Sequence, residues 1–87
     1  MPKTKVINNQ SGWIIYCPGC KKYHHLDHRW IFNGDFNRPT FQPALLVHRD
    51  MHQKRCHSFI TDGRIAYCSD SEHELSGVTV ELPDIEK

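Results

Sequence analysis

The chain has 87 residues and a net charge of +1, so a single domain over residues 1–87 is the natural reading. Hydrophobic residues make up 38% of it and the mean hydropathy is −0.63, a thin core that calls for a metal or disulfide staple. No stretch approaches the roughly 20 apolar residues of a membrane helix, and Met1 to Gln10 contains no secretory apolar core. These features lead us to expect a cytoplasmic protein that avoids membranes and keeps its four cysteines reduced.

In chain order, Trp13-Ile14-Ile15-Tyr16 is rich in β formers and predicts a strand running straight into Cys17. Trp30 to Pro43 is aromatic, turn-rich and broken by proline, and predicts an ordered loop over one sheet face. Ala44 to Val47 is a short apolar run. In the segment from Cys56 to Cys68, Asp62-Gly63 sits between two β-prone arms. That pair suits a type I′ turn, whose central residues both need positive φ. Such a turn pairs Thr61 with Arg64 and sets His57 opposite Cys68. Ser71 to Ser76, followed by Gly77, predicts a short helix near 71–76 with Asp70 or Ser71 as its cap. Val78 to Leu82 alternates and predicts a final strand. The fold class expected is mostly β: a single zinc-stapled antiparallel sheet, a hairpin at Asp62-Gly63 and one short helix.

Cys17-Pro18-Gly19-Cys20 has the spacing of a zinc knuckle, in which two thiolates approach one tetrahedral ion. A redox pair would instead open a helix in a βαβ unit, which nothing here resembles. Structural zinc needs four ligands, and Cys56 is the natural third because it joins a remote segment. His24 and His57 both compete for the fourth place. Strand alternation opposes His57, because neighbouring side chains point to opposite faces. Cys68 reads as a buried hairpin-end cysteine, and His25, His28, His48 and His52 as solvated residues.

Cys17-Pro18-Gly19-Cys20 with His24, Trp30…Asn33-Gly34-Asp35, Pro39-Thr40-Phe41, Cys56-His57-Ser58-Phe59…Asp62-Gly63-Arg64-Ile65, Ser69-Asp70…His73 and Leu82-Pro83 occur here in order. This set resembles a family of short phage and prophage proteins that often carry the label "ammonia monooxygenase". The resemblance implies a zinc-ribbon-like metal-binding domain with Cys17, Cys20, Cys56 and His57 as ligands. It implies no oxygenase, because a thiolate pair suits closed structural zinc rather than open copper or iron.

Three function classes follow. The first is a non-enzymatic module that binds a host or phage protein, a defence component among the candidates, using aromatic residues of the Trp30–Phe41 stretch, Phe36 above all. The second is nucleic-acid binding, through Arg49, His52, Lys54 and Arg55 together with Lys21-Lys22. The acidic end of the chain opposes it: from Ala66 onward there are six acidic residues and one basic. The third is a metal-dependent hydrolase using His57, Asp70 and His73. It is disfavoured because three thiolates leave zinc little Lewis acidity, and the expectation is no enzyme.

Overall fold

The computed structural model describes residues 3–47 and 55–86. These form ten strands and, among the described residues, no helix. Strands β2 (Ile7–Asn9), β3 (Gly12–Cys17) and β4 (Lys22–Leu26) make one antiparallel sheet in that order. A second antiparallel sheet runs β5 (Ile31–Phe32), β6 (Phe41–Val47), β7 (Cys56–Thr61), β8 (Arg64–Tyr67) and β9 (Thr79–Glu81). A ribbon of β1 (Lys3–Thr4) and β10 (Ile85–Glu86) joins the two ends of the chain. No helix of the described residues is long and apolar enough to cross a membrane.

The expected single sheet is therefore corrected to two sheets and a ribbon, and the expected helix near 71–76 is absent. Six or seven residues give too few internal hydrogen bonds to offset helix nucleation. Their polar groups are also engaged elsewhere. Glu72 N–H donates to the Arg55 carbonyl at 2.8 Å, and the Glu72 carboxylate accepts from Arg55 N–H at 2.7 Å. The Ser71 hydroxyl is bound to the His57 backbone rather than to a helix N-terminus. What remains is a run of turns, closed by Ser76 N–H to the His73 carbonyl and Val78 N–H to the Leu75 carbonyl.

The β7–β8 hairpin turns at Asp62 (φ 53°) and Gly63 (φ 80°), with Thr61 paired to Arg64. Alternation along each strand then decides what is buried. Ile15 and Cys17 of β3 and His24 and Leu26 of β4 point inward. So do Cys56, Ser58 and Ile60 of β7 and Ile65 and Tyr67 of β8. These inward faces form one shared core, which also takes Val6, Phe41, Leu45 and Leu82.

The expected loop from Trp30 to Pro43 is partly strand. Phe41 to Pro43 opens β6, and a register irregularity between Phe41 and Leu45 absorbs the proline. Of the aromatic residues of this stretch, Phe41 is core, and Trp30, Phe32 and Phe36 pack against it half-buried. Phe32 stacks on Phe41 with centroids 4.7 Å apart, Phe36 meets Phe32 edge-on at 5.3 Å, and Trp13 closes the group. Phe41 is only 3% exposed, whereas Phe36 is half-buried and packs against the core, so of the expected binding surface Phe41 is lost and Phe36 stays partly open.

Gly12, at φ 146°, passes so close to β4 that a Cβ there would strike the Leu26 carbonyl oxygen. Gly12→Ala is expected to lower unfolding stability by about 1–3 kcal/mol, the usual penalty for overpacking, measured by denaturant titration of both proteins.

Candidate functional site

The β3–β4 hairpin and β7 bring four metal-ligating side chains together. One ligand atom from each of Cys17, Cys20, His24 and Cys56 lies within 4.8 Å of all the others. Cys17 ends β3, and Cys20 lies in the turn that follows. Ile15 faces His24 across the ladder, so Cys17 and His24 share the inward face. Cys56 reaches the same point from the other sheet.

All four cysteines are free thiols. The Cys17 and Cys56 sulfurs are 3.7 Å apart. That is far beyond an S–S bond of about 2.05 Å. It matches the separation of about 3.8 Å that two Zn–S bonds of about 2.3 Å subtend at a tetrahedral ion. His24 is 3% exposed, and its Nε2 is buried without a hydrogen-bond partner. An imidazole nitrogen left bare beside three sulfurs is a donor set that can hold a metal ion.

The electrostatics agree. A hydrogen bond from Cys56 is the largest influence holding the Cys17 thiol down to about 3, with His24, Tyr67 and the Cys20 backbone helping against burial. Cys56 is pushed up, first by that same bond and then by burial. Burial and the Cys17 charge raise Cys20. Three clustered sulfurs, two of them buried, therefore do not all ionise by themselves, and a divalent cation is what would let them.

Two residues that the sequence reading did not assign to the site enclose it. The Tyr67 hydroxyl lies 3.1 Å from Cys17 Sγ, placed to donate to the thiolate, and its oxygen accepts from Gly19 N–H at 3.1 Å. The hairpin register held the signal for Tyr67, because it pairs with Ser58, two residues from Cys56 on the same face. The His73 ring meets Tyr67 edge-on at 4.4 Å and lies over Gly19, where a Cβ would collide with it. His73 therefore covers the knuckle from a turn rather than from the expected helix.

His57 points the other way. It lies on the outer face of the five-stranded sheet, with its Nδ1 3.2 Å from an Asp70 oxygen. The structure thus does not bring His57 to the Cys17, Cys20 and Cys56 sulfurs. Instead His57, Cys68 and Asp70 make a second cluster, again with one atom from each within 4.8 Å of the others. Asp70, expected as a helix cap, serves His57. Beside them the outer face is apolar and open, with Phe59 51% exposed and Ile31 70% exposed. A groove runs between them along Gln42, Pro43 and Ala44.

The profile of the family BubE, described as a bacterial ubiquitination-like system serine protease, matches residues 2–68. The chain belongs to this family. No curated protein and no solved structure matches the chain. Nothing in the comparisons supports the phage family that the motifs resemble or its oxygenase label. Of the expected basic segment, Arg49, His52 and Lys54 lie outside the described residues, as does His48. Arg55 lies 3.9 Å from Asp70, and Lys21 lies 3.9 Å from Glu74, so both basic patches contain acid.

Tyr67→Phe removes a donor to Cys17 and leaves Gly19 N–H without its acceptor. It is expected to lower stability by about 1–3 kcal/mol. The check is urea unfolding of both proteins at one fixed metal concentration.

Proposed function

We propose that this chain is a peptidase of a bacterial ubiquitination-like system, built on one domain that structural zinc holds together. The zinc ligands are Cys17, Cys20, His24 and Cys56. The bare, buried His24 Nε2 and the 3.7 Å sulfur separation support that set over one containing His57. Three thiolates and one imidazole make a closed site, so the metal's work is folding rather than chemistry. Free thiols at such a site suit a reducing compartment such as the cytoplasm.

The observation that carries the peptidase reading is the His57–Asp70 pair. A carboxylate on Nδ1 fixes the ring and leaves Nε2 available as a general base, the arrangement on which acyl-transfer triads depend. It lies on an open face beside an apolar groove, where an extended polypeptide can rest. The protein partners expected from the sequence become, in this reading, components of the ubiquitination-like system named by the family.

A second reading keeps the expectation of a non-catalytic binding protein. It is favoured by the state of the serines near His57. Ser58 faces inward and is fully buried, and the Ser71 hydroxyl is taken up by the His57 backbone at 2.8 and 3.0 Å.

Two experiments separate these claims. In a zinc titration followed by circular dichroism, Cys56→Ser and His24→Ala are expected to lose zinc-dependent folding, whereas His57→Ala keeps it. Metal-binding energy in small zinc domains, about 10–16 kcal/mol, is folding energy, so ligand loss is not marginal. Retained zinc-dependent folding in His24→Ala would reverse the ligand assignment. In the second, a mixed peptide library is incubated with zinc-loaded protein and read by mass spectrometry. Wild type is expected to cut, with His57→Ala slower by about 10²–10⁴-fold. An uncut library with folded wild type hands the case to the binding reading.

A further inference from the structure

We propose that His57, Cys68 and Asp70 form a second metal site, weaker than the first, for a thiophilic divalent cation such as zinc, and that its occupancy takes His57 out of proton transfer. The site stands apart from the peptidase reading, and only its effect on cleavage rests on that reading. An imidazole, a thiol and a carboxylate are each zinc ligands. None of these three side chains belongs to the hydrophobic core.

The backbone gathers the three residues. Cys68 N–H donates to the His57 carbonyl at 2.8 Å, which extends the β7–β8 register by one pair. Residues opposite each other across an antiparallel pair project to the same side. Ser71 N–H donates to the Cys68 carbonyl at 3.0 Å, closing a turn that carries Asp70 back toward β7. The Ser71 hydroxyl ties that turn to the His57 carbonyl and N–H, at 2.8 and 3.0 Å. Both Asp70 oxygens thereby meet His57 Nδ1, at 3.2 and 3.3 Å. On one tetrahedral zinc ion, a nitrogen and an oxygen stand about 3.3 Å apart, and a nitrogen and a sulfur about 3.6 Å. The nitrogen–oxygen spacing is thus already that of a metal site. One ligand atom from each of the three residues lies within 4.8 Å of the others, so the sulfur needs to close about 1.2 Å at most. Rotation about the Cys68 Cα–Cβ bond covers that distance.

A cation here displaces the proton that Nδ1 otherwise shares with Asp70. That ring proton moves to Nε2, and the Cys68 thiol releases its own proton to solvent. Carboxylate and thiolate together then balance the charge of a divalent ion, and three protein ligands leave its fourth position to water. With metal on Nδ1 and a proton on Nε2, the imidazole keeps no lone pair to accept a proton from a nucleophile. The Arg55 guanidinium, 3.9 Å from Asp70, opposes the cation, but that pair is half exposed and weak. The first site offers three thiolates, two of them buried, and this one a single half-buried thiol, so the first site fills first.

The test dialyses the protein against rising free zinc and counts ions per chain by atomic emission, with circular dichroism following the fold. Wild type is expected to hold one ion at low zinc and two at higher zinc. Cys68→Ala and Asp70→Asn are expected to stay folded and stop at one. Cobalt added to wild type already holding one zinc should give a thiolate-to-cobalt charge-transfer band that Cys68→Ala lacks. Peptide cleavage by wild type should fall about 10²-fold as the second ion binds, whereas Cys68→Ala cuts at the wild-type rate at every zinc level. A wild-type count that stops at one overturns the site, as do two ions in Cys68→Ala and Asp70→Asn alike. Cleavage unchanged or faster with the second ion bound overturns the effect on His57. A library left uncut at one ion per chain, with a second ion that disappears in Cys68→Ala, supports the site while sinking the peptidase reading, so the two failures are distinguishable.

Discussion

The convergence of Cys17, Cys20 and His24 with Cys56 is the constraint on which the rest of the structure depends. The first three belong to the β3–β4 hairpin and the fourth to a strand of the other sheet. Without that junction, two thin sheets would be held by a core of about a dozen side chains, little for a chain of this size. A cation held by these four side chains would fix the relative position of the two sheets at the start of β7. Tyr67 and His73 then seal the junction, and Tyr67 couples Cys17 to the Gly19 backbone. A donor aimed at a thiolate and a backbone held in place are what outer-shell groups of a metal site provide.

The sequence made some of this legible because certain residue pairs have few structural uses. Asp62-Gly63 is one: both adopt positive φ at the turn, which fixes the register of the hairpin. Cys17-Pro18-Gly19-Cys20 is another. The parity of β7 was also readable, since Cys56 and His57 cannot both face the core, and the structure places them on opposite faces. The split into two sheets was not readable, because it depends on how Asp27 to Trp30 redirects the chain. The stretch from Ser71 to Gly77 misled for a definable reason. Its capping residues look helical in isolation, yet their partners are His57 and Arg55, more than a dozen positions away. The aromatic segment from Trp30 to Phe41 misled in the opposite sense: Phe41 joins the core, and Trp30, Phe32 and Phe36 pack half-buried against it.

Inner and outer faces thus divide the labour. The inner face collects sulfur and apolar groups and gives the fold its stability. The outer face carries an imidazole, a carboxylate, a thiol and uncovered apolar side chains, none of which the core requires. The two faces meet through the backbone of β7 and β8. Of the outer-face groups, His57 is mounted on β7, directly after the metal-ligating Cys56, while Cys68 and Asp70 follow the end of β8.

The adjacency of Cys56 and His57 has a consequence for how such a chain can vary. Side chains on a strand alternate with a period of two, so inserting or deleting one residue in β7 would turn every side chain beyond it to the other face. The sulfur would be carried out to solvent and the imidazole into the core in a single event. Length changes at this strand are thus barred in a way that substitutions are not. Two-residue changes, which preserve parity, are the smallest that could leave both faces in place.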